Sequence, residues 1–170
     1  MNRRTLLSGF GVAALAAVLS SCTSFAPVYG DLSSNSISAA RFNFASPGSR
    51  LDQVALNRLK VAFPGAAQPS DPDLAVSIAV TTLAAPLSTS IAVAAPVRIR
   101  VEGRVTISRG DDVAFEATRF VDTSYQSGKL TQTEMASSSG AQEAAAIAVA
   151  DALRAAILAG YRPGMPAAGN

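Results

Sequence analysis

From Val97 to Ser108 the chain alternates. Val97, Ile99, Val101, Val105 and Ile107 are apolar, while Arg98, Arg100, Glu102, Arg104, Thr106 and Ser108 between them are polar. A period of two sustained over such a stretch is a β-strand with one buried face and one wet face. Gly110-Asp111-Asp112 is turn sequence, so Val113 to Tyr125 is expected to return antiparallel beside it. A sheet that is wet on one side must bury the other under something, and that need constrains the rest of the chain. Gly103 falls on the apolar side and marks either a bulge or the close approach of a helix.

The covering elements lie on either side in sequence. Ile37 to Phe44 has β character and ends at Ser46-Pro47-Gly48-Ser49. Ser49 with Asp52 is a variant capping box, and Leu51, Ala55, Leu59 and Ala62/Phe63 recur at helical spacing, predicting a helix from about Arg50 to Phe63 that stops at Pro64-Gly65. After a Pro/Asp loop, Leu74, Val76, Ile78 and Val80 alternate with small residues and predict a strand to Leu83. Ala141 to Ala159 is an alanine-dominated helix with Val149, Leu153 and Ile157 four residues apart. Its start falls between a capping box at Thr131/Glu134 and the Ser/Gly run ending at Gly140. The order β-α-β-β-β-α predicts an α+β two-layer sandwich, with a four-stranded mostly antiparallel or mixed sheet carrying both helices on one face.

The N-terminus has a different character. Arg3-Arg4 precede an uncharged run from Thr5 to Leu19, the layout of an export signal too short to be a permanent membrane span. Leu19-Ser20-Ser21-Cys22 resembles the bacterial lipobox, whose cysteine is acylated and becomes the mature N-terminus. Thr23 stands where an aspartate would resemble an inner-membrane retention signal, so the resemblance points to the periplasmic leaflet of the outer membrane. Arg3-Arg4-Thr5-Leu6-Leu7 also resembles a twin-arginine core. The expected organisation is therefore a signal peptide (1–21), a lipidated N-terminus and tether (22–36), an α+β domain (37–162) and a tail (163–170).

Loss of residues 1–21 would take two arginines from the 14 basic residues and leave them equal in number to the 12 acidic ones. A neutral domain lacks the strongly basic stripe of a nucleic-acid binder. Cys22 is the only cysteine and there is no histidine, so internal disulfides, cysteine metal clusters and the usual general base are absent from the sequence. The pairs Asp71/Asp73 and Asp111/Asp112 lie in turn sequence, where Asp serves local hydrogen bonding. No enzymatic activity, metal or cofactor is expected beyond the diacylglycerol and N-acyl chain on Cys22.

The element order, the lipobox and the stretch Phe25-Ala26-Pro27-Val28-Tyr29-Gly30 resemble the alphaproteobacterial branch of the LPS-assembly lipoprotein family, LptE. Members of that branch typically carry an arginine where this chain has Ala26. The resemblance implies an outer-membrane lipoprotein that plugs the LptD β-barrel, assists its assembly and takes part in lipopolysaccharide delivery. Its implied partners are that barrel, lipopolysaccharide and membrane lipid. Two other classes compete. An auxiliary lipoprotein of a lipid-transporting ABC system would share the anchor but usually carries a Tyr-Tyr stretch after the cysteine, where only Tyr29 is present. A secreted hydrolase would have to work without histidine.

Two regions are candidate sites. Arg98, Arg100 and Arg104 share the wet strand face and could meet lipid phosphates or acidic groups of a barrel lumen; the competing reading is a solvated face paired with Glu102 or Glu116. Ala84 to Pro96, with Leu87, Ile91 and Val93, reads either as an apolar partner-contacting hairpin end or as strand ends continuing into the core.

Overall fold

The computed structural model describes residues 40–84, 95–127 and 131–164. Strand β1 (Asn43–Phe44), helix α1 (Arg50–Ala62), strands β2 (Asp73–Ala84), β3 (Ala95–Arg109) and β4 (Asp112–Ser127) and helix α2 (Thr131–Gly160) follow in the expected order. The sheet is open and mixed, ordered β1-β2-β3-β4, with β1 parallel to β2 and the other two pairings antiparallel. Both helices cover one face. Among the described residues, no helix is long and apolar enough to cross a membrane.

The alternation in β3 builds the core as the period requires. Val97, Ile99, Val101, Val105 and Ile107 are buried together with Leu74 of β2, Leu56 and Leu59 of α1, and Val149, Leu153 and Ile157 of α2. Gly103 supplies the close approach rather than a bulge. A Cβ there would overlap Val149 Cγ1 and stand 2.9 Å from Ile78 Cδ1 and 3.2 Å from Leu153 Cδ1. The bulges lie elsewhere, at Leu83 opposite the start of β3 and at Ala114 opposite its end. Gly110 adopts φ +62° in the two-residue connection between β3 and β4, a position that favours glycine.

Helix α1 starts where its cap dictates. Ser49 Oγ accepts the Asp52 N–H at 3.1 Å, but the reciprocal half of a capping box is missing. Asp52 Oδ1 accepts instead the N–H of Ile78 at 2.6 Å, on the outer edge of β2 beyond the end of β1. Asp52 is the one buried charged side chain among the described residues, and it occupies an edge group that a longer β1 would have taken. Strand β1 is shorter than expected: residues 37–39 of the predicted strand lie outside the described residues, and only Asn43 and Phe44 pair. Asn43 Nδ2 donates to the Asp71 carbonyl at 2.9 Å, and Asp71 Oδ2 accepts the Gln68 N–H at 2.7 Å, the local turn role expected of that aspartate.

Helix α2 begins at Thr131, the first residue of the expected capping box, and the Ser/Gly run is inside the helix. Ion pairs join the two helices along their outer seam, between Arg50 and Glu143 and between Arg58 and Asp151, the latter bidentate at 2.8 and 3.1 Å. The Arg58 guanidinium, chiefly through that hydrogen bonding, holds the Asp151 carboxyl below its ordinary range. At the other end of the core Phe42 packs edge-on against Phe63 at 5.3 Å and near Tyr161 at 5.6 Å, and burial pushes the Tyr161 hydroxyl above its ordinary range.

Candidate functional site

The side chains between the buried ones in β3 stand on the face the helices leave open. Register sets their neighbours. Arg98 lies opposite Ser124 of β4, Arg100 opposite Asp122, Glu102 opposite Phe120 and Arg104 opposite Thr118. On the other side β2 offers only small residues: Thr81 beside Arg100, Ala79 beside Glu102, Ser77 beside Arg104 and Ala75 beside Thr106. The arginine stems therefore rise from a low floor along β2.

The three arginines share this face but differ in what holds them. Arg100 forms a bidentate pair with Asp122, Nε to Oδ1 at 2.7 Å and Nη2 to Oδ2 at 2.9 Å, and its Cζ lies 4.0 Å from the centre of the Phe120 ring. That hydrogen bonding keeps the Asp122 carboxyl below its ordinary range, against a smaller opposing effect of desolvation, with the charges of Arg100 and Arg98 adding to the lowering. It also raises the Arg100 guanidinium. Arg104 Nη1 approaches Glu116 Oε1 at 3.3 Å, one of the two carboxylates expected to compete for these arginines. Arg98 makes no ion pair with a described residue, and its charge acts on Asp122 from a distance.

Two members of this surface are not evident from the strand pattern alone, Asp122 and Phe120. Phe120 is 54% exposed in the middle of a polar face. The tight turn fixes Ser108 opposite Val113, and counting on from there would set Arg100 opposite Val121. The extra residue at Ala114 shifts the register by one and brings Asp122 into place. Only a β-bulge located in advance would have revealed them.

Cys22, the stretch Phe25 to Gly30, and Leu87, Ile91 and Val93 lie outside the described residues. The strands leading toward 85–94 run as far as Ala84, past the bulge at Leu83, and from Ala95 onward, and Pro96 is accommodated within β3 opposite Gln126. Val80 and Leu83 are partly exposed on the β2 arm. A shallow depression of about 410 Å³ lies at the start of α2, between Tyr125, Met135, Ser138 and Gln142. Among the described residues no group of three or more carboxylate, cysteine or histidine side chains is placed to hold a metal ion.

No protein-family model matches this sequence, and no curated protein matches it either. Solved structures with a similar arrangement include a protein of Caulobacter crescentus CB15 proposed to be a lipoprotein. It is 17% identical with a TM-score of 0.46, over 72% of this chain and 90% of that one. Another is a minor lipoprotein from Acinetobacter baumannii, 16% identical with a TM-score of 0.48, over 72% and 93%. At that degree of identity and superposition neither brings a ligand, a partner or a role to this chain.

Proposed function

We propose that this chain is a lipoprotein of the bacterial envelope, anchored through Cys22 to the periplasmic leaflet of the outer membrane, and that it serves lipopolysaccharide delivery as a non-enzymatic plug and assembly partner of an LptD-like β-barrel. The observation that carries the anchoring is the sequence Leu19-Ser20-Ser21-Cys22 directly behind an uncharged run, with no other cysteine in the chain. A thioether-linked diacylglycerol and an N-acyl chain together exceed the single chain that gives only reversible membrane binding. The barrel and lipopolysaccharide readings rest on the resemblance of Phe25 to Gly30 and of the element order to the LptE family. On the open face, Arg98 is the residue for an anionic group of lipid or barrel, because Arg100 and Arg104 already face carboxylates.

Intact-mass measurement of the membrane-extracted protein tests the anchor: residues 1–21 missing and lipid added at Cys22 is the expected result. Retention of Cys22→Ala in the outer-membrane fraction, in cells lacking the barrel, would sink it. Co-purification of the native protein with an outer-membrane β-barrel tests the assembly role, and recovery with an ABC transporter instead would replace that role with the auxiliary-lipoprotein reading.

A further inference from the structure

Strand β4 ends the sheet. Its inner side pairs with β3 along its whole length, and no described strand pairs with its outer side. The direction of its backbone groups follows from the sheet. Ile78 directs its N–H outward from β2 to Asp52, so its opposite number Gly103 directs its own backbone groups toward β4 and Arg119. The even-numbered residues of β4 therefore turn N–H and C=O outward. Two hydrogen bonds agree: Gln126 N–H donates to Ser137 Oγ, and the Thr118 carbonyl accepts from Arg119 Nη1 at 2.7 Å.

This open edge has two definite ends. At one, the bulge at Ala114 breaks the pleat; at the other, Ser137 of α2 occupies the Gln126 N–H. Phe115 to Tyr125 lies between them, contains no Pro or Gly, and has Phe120 at its centre. Proteins usually blunt so long an edge with proline, lysine or an inward charge. Among the described residues the only side chain that covers this stretch is the exposed Arg119.

We propose that this edge pairs with a second copy of the chain, β4 against β4 antiparallel about a two-fold axis at Phe120, joining two four-stranded sheets into one. In that register Phe120 meets Phe120, Thr118 meets Asp122 and Glu116 meets Ser124 on the open face. Phe115 meets Tyr125, Ala117 meets Thr123 and Arg119 meets Val121 on the helix face. No like charges stand directly opposite, and the carboxylates that come diagonally near, Asp122 and Glu116, are each already paired with an arginine of their own chain. The half-exposed Phe120 ring gains an aromatic neighbour. Arg119 must swing away from the Thr118 carbonyl, which the Asp122 N–H of the other copy then takes. The pairing rests on neither the anchoring nor the transport reading above, and it describes the chain outside a barrel, since two joined sheets do not fit where one chain is the plug.

The test uses the full chain with Cys22→Ala, which removes its only cysteine. Light scattering should give the mass of a dimer. Phe120→Cys should form a disulfide-linked dimer under mild oxidation, because hydrogen-bonded antiparallel pairs hold Cα atoms about 5.5 Å apart. Glu116→Cys mixed with Ser124→Cys should cross-link, whereas Glu116→Cys alone should not, its two copies lying about 27 Å apart. Phe120→Lys should weaken dimerisation by about tenfold or more, and Arg119→Ala should tighten it, both with melting of the fold followed as a control. A protein monomeric at its highest soluble concentration overturns the proposal. So does a dimer that Phe120→Lys leaves intact and that cross-links at neither position.

Discussion

Gly103 and Asp52 show how much of this molecule rests on single residues. At Gly103 the sheet leaves no room for a Cβ beneath α2, so Gly103→Ala should destabilise the domain by about 1 to 3 kcal/mol through forced displacement of Val149 and Ile78, measured by chemical denaturation. Asp52 provides an acceptor to the part-buried Ile78 N–H, which points away from β3. Asp52→Ala leaves that donor without its partner and should cost about 1 to 3 kcal/mol, while Asp52→Asn, which retains a carbonyl acceptor, should recover part of the loss. A larger loss for Asn than for Ala would show that the hydrogen bond is not what the residue contributes. On the surface, Arg100 is held by Asp122 and Phe120, whereas Arg98 has no ion-pair partner among the described residues. Replacement of Arg98 alone should therefore capture most of any salt-dependent lipopolysaccharide binding that replacement of all three arginines by Gln removes.

The helices are held by different means at their ends and along their lengths. Ser49→Ala should destabilise by about 1 kcal/mol by leaving the Asp52 N–H without its cap. Between α1 and α2 the Arg58 pair lowers the folded-state pKa of Asp151. A carboxyl depressed on folding contributes stability above its unfolded value, about pH 4, and loses that contribution as the pH falls through the folded value. Asp151→Asn should therefore shrink the stability difference between pH 7 and pH 3, and only slightly, because both side chains are substantially exposed and solvent screens them. An unchanged pH dependence in urea titrations would assign the acid sensitivity to other carboxylates. In the sheet, β3 has strands on both sides and a buried face, so amide exchange should be slowest around Val101 and Val105, and fastest on the outward groups of β4 wherever the chain is monomeric.

At the scale of the whole molecule, residues far apart in sequence meet because one sheet face needs covering. The alternation of β3 implied a strand with a single buried side, and with two amphipathic helices available the two-layer α+β arrangement followed. Helix α1, the β3–β4 turn at Gly110 and the order of elements along the chain were legible for the same reason: cap residues, glycine and hydrophobic period act over a few positions and need no distant partner. At Gly103 the sequence left a bulge and a helix contact both open, and the destination of the Asp52 carboxylate and the pairing of Arg100 with Asp122 were not legible, because each depends on groups many residues away. The bulge at Ala114 makes the point most plainly. A tight turn propagates one register along β4, yet one extra residue moves every later side chain to the opposite face, setting Phe115 toward the core and Phe120 into solvent. The local sequence determined that β3 and β4 pair and where they turn; the packing of Phe115 beneath the end of α2 decided which residues of β4 look outward, since burying that ring outweighs the cost of one unpaired position in the ladder.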